Sequence, residues 1–349
     1  MKHLHKPGRR TFHKLFVASL ASTVALSSCQ RSSTIAKDQS LNSVSIPPRL
    51  KSGDRVGLIA PSSFASEDKV QKAHANLKAM GLEVVEGKYL REENGFMGGT
   101  DGERVEDLHA MFRRKDIQGI WCVRGGYGVS RILPMLDYEL IRRNPKVLVG
   151  YSDITALHLA ILTKTGLVTY HGPVGSSDFP LYAFQSVQSA LFGDQGGYTV
   201  LPASEPSDTE ATFSVLRSGR ARGQLVGGNL TLLAALCGTE YMPDLTGKII
   251  FMEDIGEASY RIDRMLIQLE QAANLKRAAG LIFGNFTHCD PEEGSRDQTV
   301  LEVIQDHCLG MGIPVVTGYS IGHIAQNATL GMGMMAELEA DKGLISLSI

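Results

Sequence analysis

Residues 146–162 read KVLVGYSDITALHLAIL, and this stretch holds the pattern that decides the fold. The segment Lys146–Val149, apolar after its lysine, predicts a buried strand, and the largely apolar segment Ile154–Leu162 predicts a helix. Only Gly150–Asp153 separates them, so the chain must turn sharply from strand to helix. A strand that leads directly into a helix is half of a βαβ unit and indicates a parallel sheet.

The same alternation continues on both sides of this stretch. Further strands are predicted at 55–60, 82–85, 119–123 and 167–170, with helices at 66–80, 129–136 and after the Thr100/Glu103 capping box. Strands separated by helices pair in parallel through right-handed crossovers, which predicts a three-layer α/β domain over residues 47–175. Residues 176–222 lack the pattern and are predicted to connect it to a smaller C-terminal α/β domain over residues 223–349.

The amino terminus has the layout of an export signal. A basic segment precedes an uncharged run over residues 15–28, which is shorter than the roughly 20 residues of a membrane span. The end of this run, Leu26-Ser27-Ser28-Cys29, resembles a bacterial lipobox, which implies acylation of Cys29, and residues 9–14, RRTFHK, resemble a twin-arginine signal. Cleavage without acylation and general secretion stay open. We expect residues 1–29 to be the signal, residues 30–46 to be a tether, and Gln30 to direct the periplasmic lipoprotein to the outer membrane.

Composition excludes several classes of protein. The 349 residues include 35 Lys+Arg against 37 Asp+Glu, and without a basic surplus we expect no nucleic-acid partner. Besides Cys29 there are four cysteines, at positions 122, 237, 289 and 308, and none forms a CxxC pair. We therefore expect no structural metal, no cofactor and no obligatory disulfide.

Ligands of open parallel sheets bind beyond the carboxyl ends of the strands, so functional residues are expected there. The glycine-rich segment 124–128 follows a predicted strand and precedes a helix, where its N–H groups could face an anion or oxyanion, although a tight turn explains it equally well. Ser152 lies on the sharp turn of residues 150–153, as in a nucleophile elbow, but Ser152 or Asp153 could simply cap the helix.

A serine nucleophile needs a base that a third group orients. Glu253 and Asp254 end one predicted strand, and His323 follows another. The order Ser, Glu, His is one of the orders known for such triads. A solvated acid and a surface histidine remain possible interpretations of these residues.

Taken together, these segments resemble the serine L,D-carboxypeptidase family, which includes muramoyltetrapeptide carboxypeptidases and microcin C self-immunity peptidases. The resemblance extends over residues 50–335, and the export signal and residues 176–222 are its least typical parts. The matching segments are Arg124-Gly125-Gly126-Tyr127-Gly128 with Arg131, Gly150-Tyr151-Ser152-Asp153 with Thr155-Ala156-Leu157, His171-Gly172-Pro173, Gly227-Gly228-Asn229-Leu230, Glu253-Asp254 with Tyr260-Arg261-Ile262-Asp263-Arg264, and Gly322-His323.

The resemblance implies a catalytic role for residues of both domains. Ser152 would be the nucleophile, His323 the general base and acid, and Glu253 the group that orients the imidazole. The backbone N–H groups of Gly126 and Asp153 would form the oxyanion hole. Candidates for binding the substrate carboxylate are Arg124, Asn229, Arg261 and Arg264. A swivelling C-terminal domain and a possible homodimer also follow from the resemblance.

The function that we expect is hydrolysis of the amide between an L-centre and a terminal D-amino acid, most simply D-alanine of a murein tetrapeptide. Two alternatives stay open: hydrolysis of a microcin C-like peptidyl nucleotide, and a catalytically silent lipoprotein that binds wall peptides. A glutamine amidotransferase is disfavoured because no cysteine occupies the elbow.

Overall fold

The predicted alternation of strands and helices is present in the computed structural model, which describes residues 44–193, 196–204, 211–308 and 310–348. The elements of the first half are β1 (Arg55–Ile59), α1 (Glu67–Ala79), β2 (Glu83–Glu86), α2 (Asp101–Arg113), β3 (Gly119–Cys122), α3 (Val129–Ile132), α4 (Tyr138–Arg143), β4 (Val147–Gly150), α5 (Ile154–Thr165) and β5 (Thr169–His171). The Thr100 capping box at the start of α2 is confirmed, since the Thr100 and Glu103 side chains each bond the other's backbone N–H.

The second half also alternates strands and helices. Its elements are α6 (Leu181–Leu191), β6 (Tyr198–Val200), β7 (Ser214–Arg217), β8 (Arg220–Asn229), α7 (Leu230–Leu236), β9 (Ile249–Ile255), α8 (Ser259–Ala273), β10 (Gly280–Thr287), α9 (Val300–Cys308), β11 (Val315–Thr317), β12 (Leu330–Met332), β13 (Met335–Glu339) and β14 (Leu344–Ser348).

Two mixed sheets are formed, which confirms the predicted two-domain α/β fold. The first has the order β12-β5-β4-β3-β1-β2, in which β1 to β5 are parallel and β12 is antiparallel to β5. The second has the order β6-β14-β13-β8-β9-β10-β11-β7, and its central strands β8 to β11 are parallel. The C-terminal half of the chain therefore contributes one strand, β12, to the first sheet.

Residues 176–222, predicted to be an irregular connection, contain regular elements. Helix α6 buries Ala183, Val187, Ala190 and Leu191, and strands β6 and β7 form the two edges of the second sheet. The partners of these edge strands are β14 and β11, more than a hundred residues further along the chain for β6. Pairing at this distance leaves no local pattern in the sequence.

Helix α5 links the two sheets. Ten of its residues are buried, and it contacts β5 and β12 of the first sheet as well as β8 of the second. A helix that is apolar on all faces must be covered on all faces, and this explains its central position. The turn before α5, which carries Ser152, consequently lies where side chains from both sheets can reach it.

No helix in the described part of the chain is both long enough and apolar enough to cross a bilayer. The predicted signal of residues 1–29, with Cys29, and most of the predicted tether lie outside the described residues.

Candidate active site

Three side chains that are distant in sequence form one hydrogen-bonded chain. His323 Nε2 lies 3.0 Å from Ser152 Oγ, and His323 Nδ1 lies 2.8 Å from Glu253 Oε2. Ser152 follows β4, Glu253 lies within β9, and His323 is in the loop between β11 and β12. A carboxylate can only accept, so Nδ1–H donates to Glu253 and Nε2 is free to accept the proton of the Ser152 hydroxyl.

The backbone of Ser152 is strained. Its φ of 65° is in the left-handed region, which costs a residue other than glycine about 1–2 kcal/mol. The sharp turn from β4 to α5 imposes this conformation and turns the hydroxyl out of the sheet, at the amino-terminal end of α5. This is the geometry that a nucleophile elbow requires.

His323 is partly buried beside two charges and an aromatic ring. Burial lowers the pKa of its imidazole, but the charge and hydrogen bond of Glu253, with a smaller effect from Asp254, outweigh burial and raise the pKa above its ordinary value. The ring of Tyr151 packs edge-on against the imidazole, with 4.9 Å between ring centroids. Burial, followed by the charge of Glu253, raises the pKa of Tyr151 to about 12, so this phenol stays neutral.

Glu253, rather than its neighbour Asp254, faces the imidazole. The Glu253 side chain is fully buried, and its second oxygen, Oε1, has no hydrogen-bond partner among the described residues. The Asp254 carboxylate instead accepts hydrogen bonds from Asn229 Nδ2, from the N–H and hydroxyl of Thr231, and from the N–H of Ile255. The orienting acid is therefore Glu253, and Asp254 joins β9 to the start of α7.

The glycine-rich loop after β3 lies against Ser152 and against the loop after β1. Gly126 has a φ of 124°, and a Cβ there would lie 2.2 Å from Ser63 Oγ, so no side chain fits. The Ser63 hydroxyl accepts a hydrogen bond of 3.0 Å from the N–H of Tyr127. A Cβ on Gly125 would lie 2.8 Å from the Cβ of Ser152. The loop thus runs along the nucleophile at a distance that only glycine allows.

The Asp153 side chain fastens this loop to the elbow. Its Oδ2 accepts hydrogen bonds from Ser62 Oγ at 2.5 Å and from the N–H of Val129 at 2.9 Å. Burial raises the pKa of Asp153, and these two bonds oppose that shift. The alternative that the Asp153 side chain caps α5 is wrong, because it makes no capping hydrogen bond to that helix. That the N–H groups of Gly126 and Asp153 form an oxyanion hole stays a prediction.

A cleft of about 400 Å³ opens over the triad. Its lining includes Ser152 and His323, Ile255 at the end of β9, and residues of α1 and of the loops after β3, β4 and β5, namely Lys69, Arg124, Gly125, Gly126, Tyr151, Val174, Ser176 and Ser177. No cluster of histidine, cysteine and acidic side chains suited to a metal ion is found in the described residues.

The four candidates for substrate binding have different surroundings. Arg124 lines the cleft. Asn229 is buried, and its amide caps α7 and bonds Asp254. Arg261 and Arg264 are exposed on α8, outside the described lining of the cleft, and both guanidinium groups lie 5.8 Å from the ring of Tyr260. Of the four, the structure brings only Arg124 to the cleft beside Ser152.

The four described cysteines are free thiols. Burial raises the pKa of each, to about 11 for Cys289 and to about 12 for Cys308, so they remain protonated at neutral pH. None of them lines the cleft over Ser152.

No role was predicted for four groups that surround Ser152 in the structure, namely the side chains of Ser62, Ser63, Lys69 and Tyr151. Ser62 and Ser63 lie in the loop that follows β1, so the rule that sites form beyond strand ends could have indicated them. Lys69 lies in the first turn of α1 and belongs to no recognisable sequence motif. Only the folded chain brings it to the cleft.

The fold and the site together define an α/β protein with a serine, a histidine and a glutamate arranged as in serine hydrolases. Residues 56–172 match the LD-carboxypeptidase N-terminal domain, and residues 222–338 match the LD-carboxypeptidase C-terminal domain. The chain belongs to the LD-carboxypeptidase family, which is a family of hydrolases.

Relatives of this chain include carboxypeptidases that act on murein peptides. It is 39% identical over 292 residues to a probable murein peptide carboxypeptidase of Bacillus subtilis, covering 84% of this chain and 91% of that one. It is 32% identical over 294 residues to a murein tetrapeptide carboxypeptidase of Pseudomonas aeruginosa, covering 82% and 94%. Among solved structures, an MccF-like protein of Bacillus anthracis superposes with a TM-score of 0.77 at 32% identity, covering 87% and 99%.

Proposed function

We propose that this protein is a serine-type carboxypeptidase that removes the terminal D-alanine from murein tetrapeptides. The observation that carries the proposal is the hydrogen-bonded chain from Ser152 through His323 to Glu253, assembled from both sheets at the floor of an open cleft. The murein peptide carboxypeptidases among the relatives support the choice of substrate.

The reaction follows from the positions of the three side chains. Ser152 Oγ attacks the carbonyl carbon of the terminal amide while His323 Nε2 takes the hydroxyl proton, and Glu253 stabilises the imidazolium. N–H groups of Gly126 and Asp153 stabilise the oxyanion. His323 then gives its proton to the nitrogen of the leaving D-amino acid, which leaves an ester on Ser152. Water, deprotonated by His323, hydrolyses that ester and releases the shortened peptide.

The proposed place of action is the periplasmic face of a membrane, with the chain anchored by lipid on Cys29. Support comes from the lipobox-like residues 26–29 and the basic segment before them. Cys29→Ser should move the protein from the membrane fraction to the soluble fraction, and Arg9→Lys with Arg10→Lys should block export if the route is twin-arginine. A membrane-bound Cys29→Ser protein without lipid would overturn the anchor.

The purified protein tests the activity directly. With a defined tetrapeptide it should release D-alanine, keep its rate in the presence of a chelator, and lose at least about 10⁴-fold in kcat in Ser152→Ala. Ser130→Ala, which alters an exposed serine of α3, is the matched control and should retain full activity. Chelator-sensitive turnover or an active Ser152→Ala enzyme contradicts the proposal.

A second candidate substrate is a microcin C-like peptidyl nucleotide, favoured by the similarity to the MccF-like protein of Bacillus anthracis. Comparing kcat/KM for the tetrapeptide with that for an aminoacyl sulfamoyl nucleoside separates the two. Binding of the tetrapeptide without turnover of either substrate would instead indicate the silent lipoprotein.

A further inference from the structure

Lys69 is a cation in an unfavourable position. It lies in the first turn of α1, where the partial positive charge of the helix terminus disfavours a lysine, and it is partly buried in the wall of the cleft. Burial lowers the pKa of Lys69, and the positive charges of Arg124 and Lys72 lower it further. Among the described residues, no carboxylate lies within ion-pair distance of its ammonium group.

Arg124 also lacks a carboxylate partner in the described part of the chain. Its Nε donates to the carbonyl of Gly125 and its Nη1 donates to the carbonyl of Phe64, both at 3.1 Å, so two neutral oxygens fix the guanidinium. Its Nη2 lies 3.6 Å from the place that a Cβ on Gly126 would occupy. The guanidinium is therefore held rigidly beside the loop that borders Ser152.

Lys72, one helical turn beyond Lys69, is neutralised differently. Its ammonium group forms an ion pair of 2.5 Å with Asp178. The described part of the chain thus supplies a counter-ion for Lys72, and none for Lys69 and Arg124, which line the cleft.

We propose that Lys69 and Arg124 together form the subsite for the carboxylate of the terminal residue that is released. This inference rests on the proposed function. In a peptide, the terminal carboxylate carbon lies within roughly 4 Å of the carbonyl carbon that is attacked. The subsite must therefore border the loop of Gly125 and Gly126, where Arg124 is held. Arg124 fixes the carboxylate in a defined orientation, and Lys69 supplies the second charge.

The subsite explains how the enzyme would select chain ends. A free carboxylate neutralises two partly buried cations that have no carboxylate partner among the described residues, whereas an amide or a continuing peptide chain leaves both charges without a counter-ion. Leaving charged groups unpaired is how a polar site rejects a substrate that lacks the matching group.

The test compares a murein tetrapeptide with the same peptide carrying a C-terminal amide. The wild-type enzyme should prefer the acid by at least 100-fold in kcat/KM. Lys69→Met should raise KM for the acid about 10-fold with little change in kcat, and should leave kcat/KM for the amide unchanged. Lys69→Arg should restore most of the preference, and Lys72→Met, the matched control, should behave like the wild type. If Lys69→Met lowers kcat/KM equally for the acid and the amide, or leaves the ratio of the two values unchanged, the subsite is wrongly assigned.

Binding to the Ser152→Ala protein separates this inference from the proposed function. If the wild type cleaves neither peptide, the proposed function fails, and calorimetry with the two peptides still decides the subsite. Adding Lys69→Met to Ser152→Ala should then weaken binding of the acid about 10-fold and not that of the amide. Equal affinities with and without Lys69 contradict the assignment.

Discussion

The carboxylate of Asp153 accepts a hydrogen bond of 2.9 Å from the backbone N–H of Val129, so the residue after Ser152 holds the end of the glycine-rich loop. The second bond, from Ser62 Oγ, fastens the same carboxylate to the loop after β1. Three loops that follow β1, β3 and β4 are thereby joined at one buried side chain. This connection fixes the spacing between Gly126 and Asp153, the two residues whose N–H groups are predicted to stabilise the oxyanion.

Asp153→Ala should therefore lower kcat with little effect on KM. We expect a loss of roughly 10- to 100-fold, less than the 10²–10³ that follows removal of an oxyanion donor, because both N–H groups remain but are less well held. Asp137→Ala is the matched control, since Asp137 caps α4 through the N–H of Leu140 at an exposed site. It should cost about 1 kcal/mol of stability and leave kcat unchanged. An Asp153→Ala enzyme with full kcat would argue against the connection.

Because the backbone of Ser152 is strained, glycine at this position should give a more stable protein than alanine, the reverse of the usual order in a helix. Glycine relieves the cost of a φ of 65°, about 1–2 kcal/mol, and adds about 0.5–1 kcal/mol of chain entropy to the unfolded state. Ser152→Gly should therefore be more stable than Ser152→Ala by roughly 0.5–1 kcal/mol, with both inactive, as measured by denaturant unfolding. At Ser130, which is helical, alanine should be the more stable of the pair. If alanine is the more stable replacement at position 152 as well as at position 130, the backbone of Ser152 is not strained.

The pH dependence follows from His323, which must be neutral to act as a base. Because Glu253 raises the pKa of His323, activity should fall as the pH drops through a value above the ordinary 6.5. Glu253→Gln removes the negative charge, so the acid limb of kcat/KM should move to lower pH. Its amide can also donate to Nδ1 and impose the wrong tautomer, and kcat should fall by roughly 10³–10⁴.

Asp254→Asn is the control for that experiment. Asp254 accepts several hydrogen bonds around Asn229 and Thr231, so the change should cost about 1–3 kcal/mol of stability. Most of the activity should remain, and the acid limb should stay close to that of the wild type. If instead Asp254→Asn moves the limb and Glu253→Gln does not, the assignment of the orienting acid is wrong.

Gly126→Ala should strongly reduce activity, because the added methyl group displaces the glycine-rich loop after β3. The added Cβ meets Ser63 Oγ at 2.2 Å and the backbone has a φ of 124°, so we expect kcat/KM to fall about 100-fold or more. Gly53→Ala is the control for strain alone, because Gly53 has a φ of 87° and open space around its Cβ position. It should lose roughly 1–2 kcal/mol of stability and no activity. A Gly126→Ala enzyme with normal kcat/KM would show that the loop does not face the reaction.

The sequence predicts the local parts of this molecule well. Strand β4, the elbow and helix α5 follow from one continuous stretch of sequence, in which an apolar strand turns directly into an apolar helix. Strands β6, β7 and β12 were not predicted, because each pairs with a strand that is distant in the chain and their own three or four residues carry no clear alternation.

In the active site, too, local motifs were predictable from the sequence, whereas contacts between distant residues were not. The order of Ser152, Glu253 and His323 and their positions after or within strands indicate a triad. The family resemblance names Glu253 as the orienting acid, and in the structure Glu253 contacts His323 while Asp254 bonds Asn229. Asn229 matches a motif, yet its amide is committed to helix α7 and Asp254. Lys69 belongs to no motif, and its importance arises from neighbours that folding brings together.

Covalent labelling tests the central claim most directly. A fluorophosphonate probe should modify the wild-type protein once, with the added mass located on Ser152 by peptide mapping, and His323→Ala should lose the label because the serine is no longer activated. A wild-type protein that stays unlabelled, or a label that persists in His323→Ala, would contradict the claim that His323 activates Ser152 through their hydrogen bond.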